Sequence, residues 1–307
     1  MKLNTYLLRL YPRLWRERYE EEMLALLEQH PLSFRDSLDL CLGALDASLH
    51  PPLGTTGLSR SDRTVQLVAT LRRSMLTIFC AWVGFLLAGW GFEKMTEDAQ
   101  VQAVAHAHSV VGISFILFVL GGGIAVLAMV VGGLPIVLTV IRSALARRQG
   151  GPLILLTVPM LAGVVFWLTT WLLGANDQPG IQQLWPLLHH KGLFWVTLLT
   201  AAIASPAAVC FAVVRSEISE QVLRFAVFPS VLAALAMGLS LAATILWGIG
   251  LQASAPHLFT GDAGLLRSST TGTWLGIVSA MALATLLTGF FLLRACSVRS
   301  ALRNATE

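Results

Sequence analysis

The chain has 307 residues, 55% of them hydrophobic and only 12% charged, with a mean hydropathy of +0.71. Soluble globular chains carry about 25% charged residues, so an ordinary water-soluble enzyme or binding domain is excluded. The net charge of +4 does not point to nucleic acid, because most of the excess basic residues sit in short loops beside apolar segments, where they set membrane topology.

The remaining charge is uneven. Ten of the 21 Lys/Arg and nine of the 17 Asp/Glu lie before Ser74, as do all three tyrosines. This divides the chain into an N-terminal module at 1–50, a linker and juxtamembrane helix at 51–73, a membrane domain at 74–294 and a tail at 295–307. No signal peptide is expected, since Arg9, Arg13, Arg16 and Arg18 interrupt any apolar run near the start.

In the module, Pro12 suits the first turn of a helix. Trp15, Tyr19, Met23, Leu26 and Leu27 then follow at helical spacing, and His30-Pro31 ends the run. Ser33 and Asp36 make a capping-box-like start to a second helix striped by Phe34, Leu38, Cys41, Leu42, Leu45 and Leu49. Two such helices joined by a few residues predict an antiparallel hairpin. Residues 51–62, rich in Pro, Gly, Ser and Thr, read as a linker. Residues 64–73, with Val65, Val68 and Leu71 on one face, read as a juxtamembrane helix running into the first span.

Six spans are predicted, at 75–92, 110–140, 152–174, 193–214, 225–251 and 274–293. The longest carries no Asp, Glu, Lys or Arg from Ser109 to Ile141. As one helix that run is roughly 50 Å long, against a hydrocarbon core of about 30 Å. Arg72, Arg73, Arg142, Arg147, Arg148, Arg215, Arg224, Arg294, Arg299 and Arg303 fall on one side; only Lys94, Lys191 and Arg267 fall on the other. The positive-inside rule then places both termini in the cytoplasm. A hairpin break at Gly121–Gly123 would invert the Arg142/Arg147/Arg148 cluster, so a single helix bent near Gly132–Pro135 is expected. The fold class is therefore all-α: a polytopic bundle of six transmembrane helices behind a cytoplasmic helical hairpin.

Trp90, Trp171, Trp195, Trp247 and Trp274 lie at the outer ends of these spans and predict an interfacial belt. Small residues recur every four positions at Ala234, Gly238 and Ala242, and at Gly276, Ala280 and Ala284. They predict close helix packing within the bundle, or else a homodimer face. Cys41, Cys80, Cys210 and Cys296 all fall outside the outer loops. They read as packing residues, with no disulfide framework.

No span carries an ionisable acid or base in its interior, which argues against a proton-coupled transporter, a pump or a charge-selective channel. Backbone carbonyls of a discontinuous helix also bind ions, and Gly121–Gly123 with Pro135 keeps that reading open. There is no H-E-x-x-H, G-x-S-x-G, Walker A or C-x-x-C pattern. No enzyme and no cofactor is expected. Glu20-Glu21-Glu22 reads as a solvated helix face. Five histidines, His106, His108, His189, His190 and His257, share the outer loops with Asp98, Asp177 and Asp262. Imidazole and carboxylate suit zinc or copper; scattered interfacial histidines are the plainer reading.

The run from Leu10-Tyr11-Pro12-Arg13-Leu14-Trp15-Arg16-Glu17-Arg18-Tyr19 to Glu21-Glu22-Met23 resembles a motif of the form Y-P-x-x-[WF]-R-x-R-[YF]-x-x-E-M. That motif opens the cytoplasmic helical module of bacterial PadR-associated membrane proteins, the HAAS type, and of some orphan permeases. The resemblance covers about residues 3–50; Glu20 stands where many such motifs carry Gly. It implies regulation at a bacterial cytoplasmic membrane, with a cytoplasmic transcriptional regulator as partner. Trp15, Arg16, Tyr19 and Met23 are then the candidate docking residues. The same stripe would otherwise close the hairpin core. The competing expectation is a permease-like subunit of an export or resistance system working with a separate ATPase. Either way the bilayer is a partner, and direct nucleic-acid binding is not expected.

Overall fold

A computed structural model describes residues 16, 19–25, 40, 43, 60–148, 150–175, 190–216, 218–261 and 269–306. Among them there is no strand. The helices are α1 (Arg60–Thr96), α2 (Ala99–Ala107), α3 (Ser109–Ala146), α4 (Gly150–Ala175), α5 (His190–Arg215), α6 (Glu220–Ser254), α7 (Pro256–Phe259) and α8 (Thr270–Thr306). Helices dominate because a segment in hydrocarbon must satisfy its own backbone N–H and C=O groups.

Five helices among the described residues are long and apolar enough to cross a membrane: α1, α3, α5, α6 and α8. In α4 the described apolar run, Leu153–Thr169, is shorter. The exposed faces carry the same message. On α3, Ile113, Ile116, Leu120, Ile124, Leu127, Leu134 and Leu138 form a continuous outward stripe, with Leu127 at 65% exposure. Soluble monomers rarely expose apolar patches beyond a few hundred Å², whereas acyl chains solvate such a face at no cost. This is the character of a multi-pass membrane protein.

The chain divides into two compact units. One comprises residues 1–75 and 289–307, the other residues 76–288. The described part of the first is largely helical sequence from α1 and α8. There Leu67, Leu71 and Ser74 are buried while Val65 points outward, so the inward face of residues 64–73 lies to one side of the expected Val65–Val68–Leu71 stripe. The expected N-terminal hairpin falls mostly outside the described residues; residues 19–25 are helical.

The second unit is built on α3 and α6, which pack antiparallel. The contact is legible in three glycines. A Cβ on Gly121 would overlap Ser240 Oγ and meet the Ala236 carbonyl oxygen at 3.0 Å. One on Gly132 would meet Pro229 Cβ at 3.1 Å, and one on Gly250 would meet Val110 and Val111 at 3.2 Å. From Val110 to Gly132 is about 33 Å along the helix, the full depth of a hydrocarbon core. Ser240 Oγ donates to the Phe118 carbonyl oxygen at 3.1 Å across the same seam. The helix α3 runs unbroken through Gly121–Gly123 and Pro135. Gly121 therefore serves close approach, whereas a Cβ at Gly122 or Gly123 would meet nothing within 4 Å, and α3 is not the discontinuous helix that an ion site built on its carbonyls requires.

Two expectations are corrected here. Trp247 is no interfacial anchor: it is 1% exposed and packs edge-on against Phe92, ring centroids 5.0 Å apart. Trp274 is tied inward as well, its Nε1 donating to the Thr244 carbonyl oxygen at 3.0 Å. Gly248 leaves room for that indole, since an added Cβ would overlap it. Nor do the four-residue stripes of small residues form the seam, although Ala284 at the end of the second is buried in the main core. Ala242, Gly276 and Ala280 are exposed, and nothing lies within 4 Å of a Cβ at Gly238 or Gly276. The inward face of α6 is instead Ala226, Ser230, Ala233, Met237, Ser240, Thr244 and Trp247.

Phe92, Phe118 and Trp247 join α1, α3 and α6 into one core that also takes Met281 of α8. A smaller core joins Leu76 of α1, Val140 of α3, Leu155 and Leu156 of α4, and Ala212 and Val213 of α5.

Candidate functional site

The segment between α1 and α3 holds a helix that was read above as loop. Asp98 caps α2: its Oδ1 accepts from the amides of Gln100 at 2.9 Å and Val101 at 3.4 Å. An Asp at this position satisfies two of the N–H groups a helix start leaves open. The Asp98-Ala-Gln-Val run was the available signal. Val101 is buried against the main core, which seats α2. Gly112 then lets α2 and α3 touch, because a Cβ there would come within 2.7 Å of the Ala105 carbonyl oxygen.

Between α1, α2 and α3 this leaves a cavity of about 530 Å³. Phe115 of α3 and Trp247 of α6 line its inner side, and Ile113 and Ile116, from the outward stripe of α3, line its open side; Glu93, Glu97, Gln102 and His106 stand at its rim. Lys94 is held by Glu97, Nζ to Oε1 2.6 Å, and Thr96 Oγ1 donates to the Glu93 carbonyl oxygen at 2.8 Å. Glu93 and Glu97 are the charged lining residues; Lys94 pairs with Glu97, so Glu93 leaves the rim acidic. Its size falls in the usual range for small-molecule sites, which are mostly apolar with a few placed polar groups. Chemically it suits an apolar body with a neutral or cationic end.

Of the five predicted metal ligands, His106 alone is placed at the cavity. His108 is exposed and precedes α3 without a side-chain cap bond, and His257 is exposed on α7. His190 begins α5; its side chain, like all of His189, lies outside the described residues. Among the described residues no three of His, Cys, Asp and Glu are grouped to hold a metal ion. Of the predicted docking residues, Tyr19 is exposed at 37%, and Arg16 and Met23 are half-buried. Trp15 lies outside the described residues.

No protein-family model matches the chain, and neither does any curated protein or solved structure.

The cavity could not be read from the sequence. Trp247 is 135 residues from Gly112 in the chain, and only the antiparallel register of α3 and α6 brings its indole to the start of α3.

Proposed function

We propose that this chain is a membrane-embedded regulatory sensor with six spans and both termini in the cytoplasm of a bacterium. In this reading the cavity between α1, α2 and α3 opens near the outer face, beside Lys94, and takes an amphiphile with an apolar body and a cationic end. The N-terminal module docks a cytoplasmic transcriptional regulator through Trp15, Arg16, Tyr19 and Met23. The observation that carries this is the cavity, apolar in its walls and acidic at its rim, in a chain whose spans hold no charge in their interiors. A site without charged steps leading away from it suits binding and reporting better than ion or proton transport.

The experiment is affinity capture of the full-length protein from native membranes, wild type against Tyr19→Ala. Recovery of a transcriptional regulator by the wild type and its loss in the variant is the expected result. Equal recovery by both, or recovery of an ATPase in its place, overturns the reading, the latter in favour of a permease-like export subunit.

A further inference from the structure

We propose that Cys80 and Cys210 are a reversible thiol–disulfide pair that links α1 to α5 when a membrane-soluble organic hydroperoxide oxidises it.

The two sulfurs lie 3.6 Å apart although the residues are 130 positions apart in sequence. The contact follows from the packing around it. Leu76, one turn before Cys80, belongs to the same small core as Val209, Ala212 and Val213, which flank Cys210. So α1 and α5 both contribute to one apolar cluster at this level. A disulfide needs sulfurs about 2.05 Å apart. The remaining approach of about 1.5 Å has to come from rotation of the two side chains and movement of the helices that carry them.

Packing does not account for the pair. Buried free cysteines act as small apolar fillers, but Cys80 is exposed and Cys210 half-buried. Oxidation requires access together with a resolving thiol close by, and both are present. Cys80 lies seven residues after Arg73, and Cys210 five before Arg215. That is about 10 Å and 8 Å along their helices, within reach of a lipid-dissolved oxidant at the basic, cytoplasmic side.

The chemistry balances without a further reactant. The Cys80 thiolate attacks the terminal oxygen of the hydroperoxide, giving a sulfenic acid and an alcohol. The Cys210 thiol displaces water from that sulfenic acid and the S–S bond forms. Two thiols and one hydroperoxide thus yield one disulfide, one alcohol and one water; the sulfurs lose two electrons, which the O–O bond takes up. Cytoplasmic thiols reverse the step by exchange, so the dithiol is the resting form and the disulfide is transient.

The test uses the full-length protein in lipid nanodiscs, treated with cumene hydroperoxide and probed under denaturing conditions with a polyethylene-glycol maleimide. The reduced chain carries four thiols. After oxidation two should remain reactive, and digestion should yield one linked Cys80–Cys210 peptide pair, two hydrogen masses lighter than its parts. Dithiothreitol should restore all four thiols. Cys80→Ser and Cys210→Ser, each conservative and on a half-open surface, should keep their three thiols, while Cys296→Ser should still lose two of three. Four reactive thiols after treatment, a link to Cys41 or Cys296, or a Cys80 sulfinic acid with no link would each overturn the proposal.

Discussion

Gly121 is the residue at which the central seam is most easily broken. Its hydrogen is all that fits between α3 and the Ser240 hydroxyl. Gly121→Ala should cost about 1–3 kcal/mol through forced displacement, read as an earlier midpoint in detergent-denaturant unfolding. Gly122→Ala, one residue away with nothing within 4 Å, should be neutral or stabilise by up to about 1 kcal/mol through helix propensity. Ser240→Ala removes the bond to the Phe118 carbonyl oxygen and should cost about 0.6 kcal/mol, the average for interhelical hydrogen bonds in membranes. Combined with Gly121→Ala it should cost less than the sum, because the clashing hydroxyl is gone; strict additivity would place the clash elsewhere. Arg148 is a second informative residue. It follows α3 with φ 52°, in the left-handed region where helices usually end on glycine. Arg148→Gly should therefore stabilise the fold by about 1 kcal/mol.

At the scale of elements, α2 is a short helix held by one cap and one buried side chain. Nine residues are too few for a helix to persist alone in water. Asp98→Ala should therefore loosen it by about 0.5–2 kcal/mol, seen as faster hydrogen exchange at the amides of 100–104, while Asp98→Asn should retain protection. Because α2 forms one wall of the cavity, Gly112→Leu should push it away from α3 and abolish amphiphile binding. A long-chain quaternary ammonium with a brominated tail provides the readout. It should quench the tryptophan fluorescence of the wild type saturably and that of the variant only as far as bulk lipid partitioning does. Saturable quenching of both would remove the cavity as the site.

For the whole molecule, the prediction is topological. In a cysteine-free background, Gln102→Cys on α2 should react with a membrane-impermeant maleimide added outside intact cells. Arg147→Cys, just past α3, should react only after permeabilisation. Labelling of both from the same side would overturn a single crossing by α3, and with it the assignment of both termini to the cytoplasm.

What the sequence by itself determined is the class of molecule and the location of its apolar helices, because both follow from local properties. A charge-free run longer than the hydrocarbon core has to be a helix in a bilayer, and Ser109–Ala146 is one. What only the tertiary structure decided is which face of each helix turns inward. In water a buried face is marked by its hydrophobicity; in lipid both faces are apolar, so the mark is lost. Ala242 and Gly276 were small and suitably spaced yet face outward, while Gly121, Gly132 and Gly250 make the close contacts. Trp247 looked like an interfacial anchor and is the centre of the core. The cavity and the thiol pair arise where helices distant in sequence come side by side. Their register is set by close approach and hydrogen-bond closure between segments, and no window along the chain contains both partners.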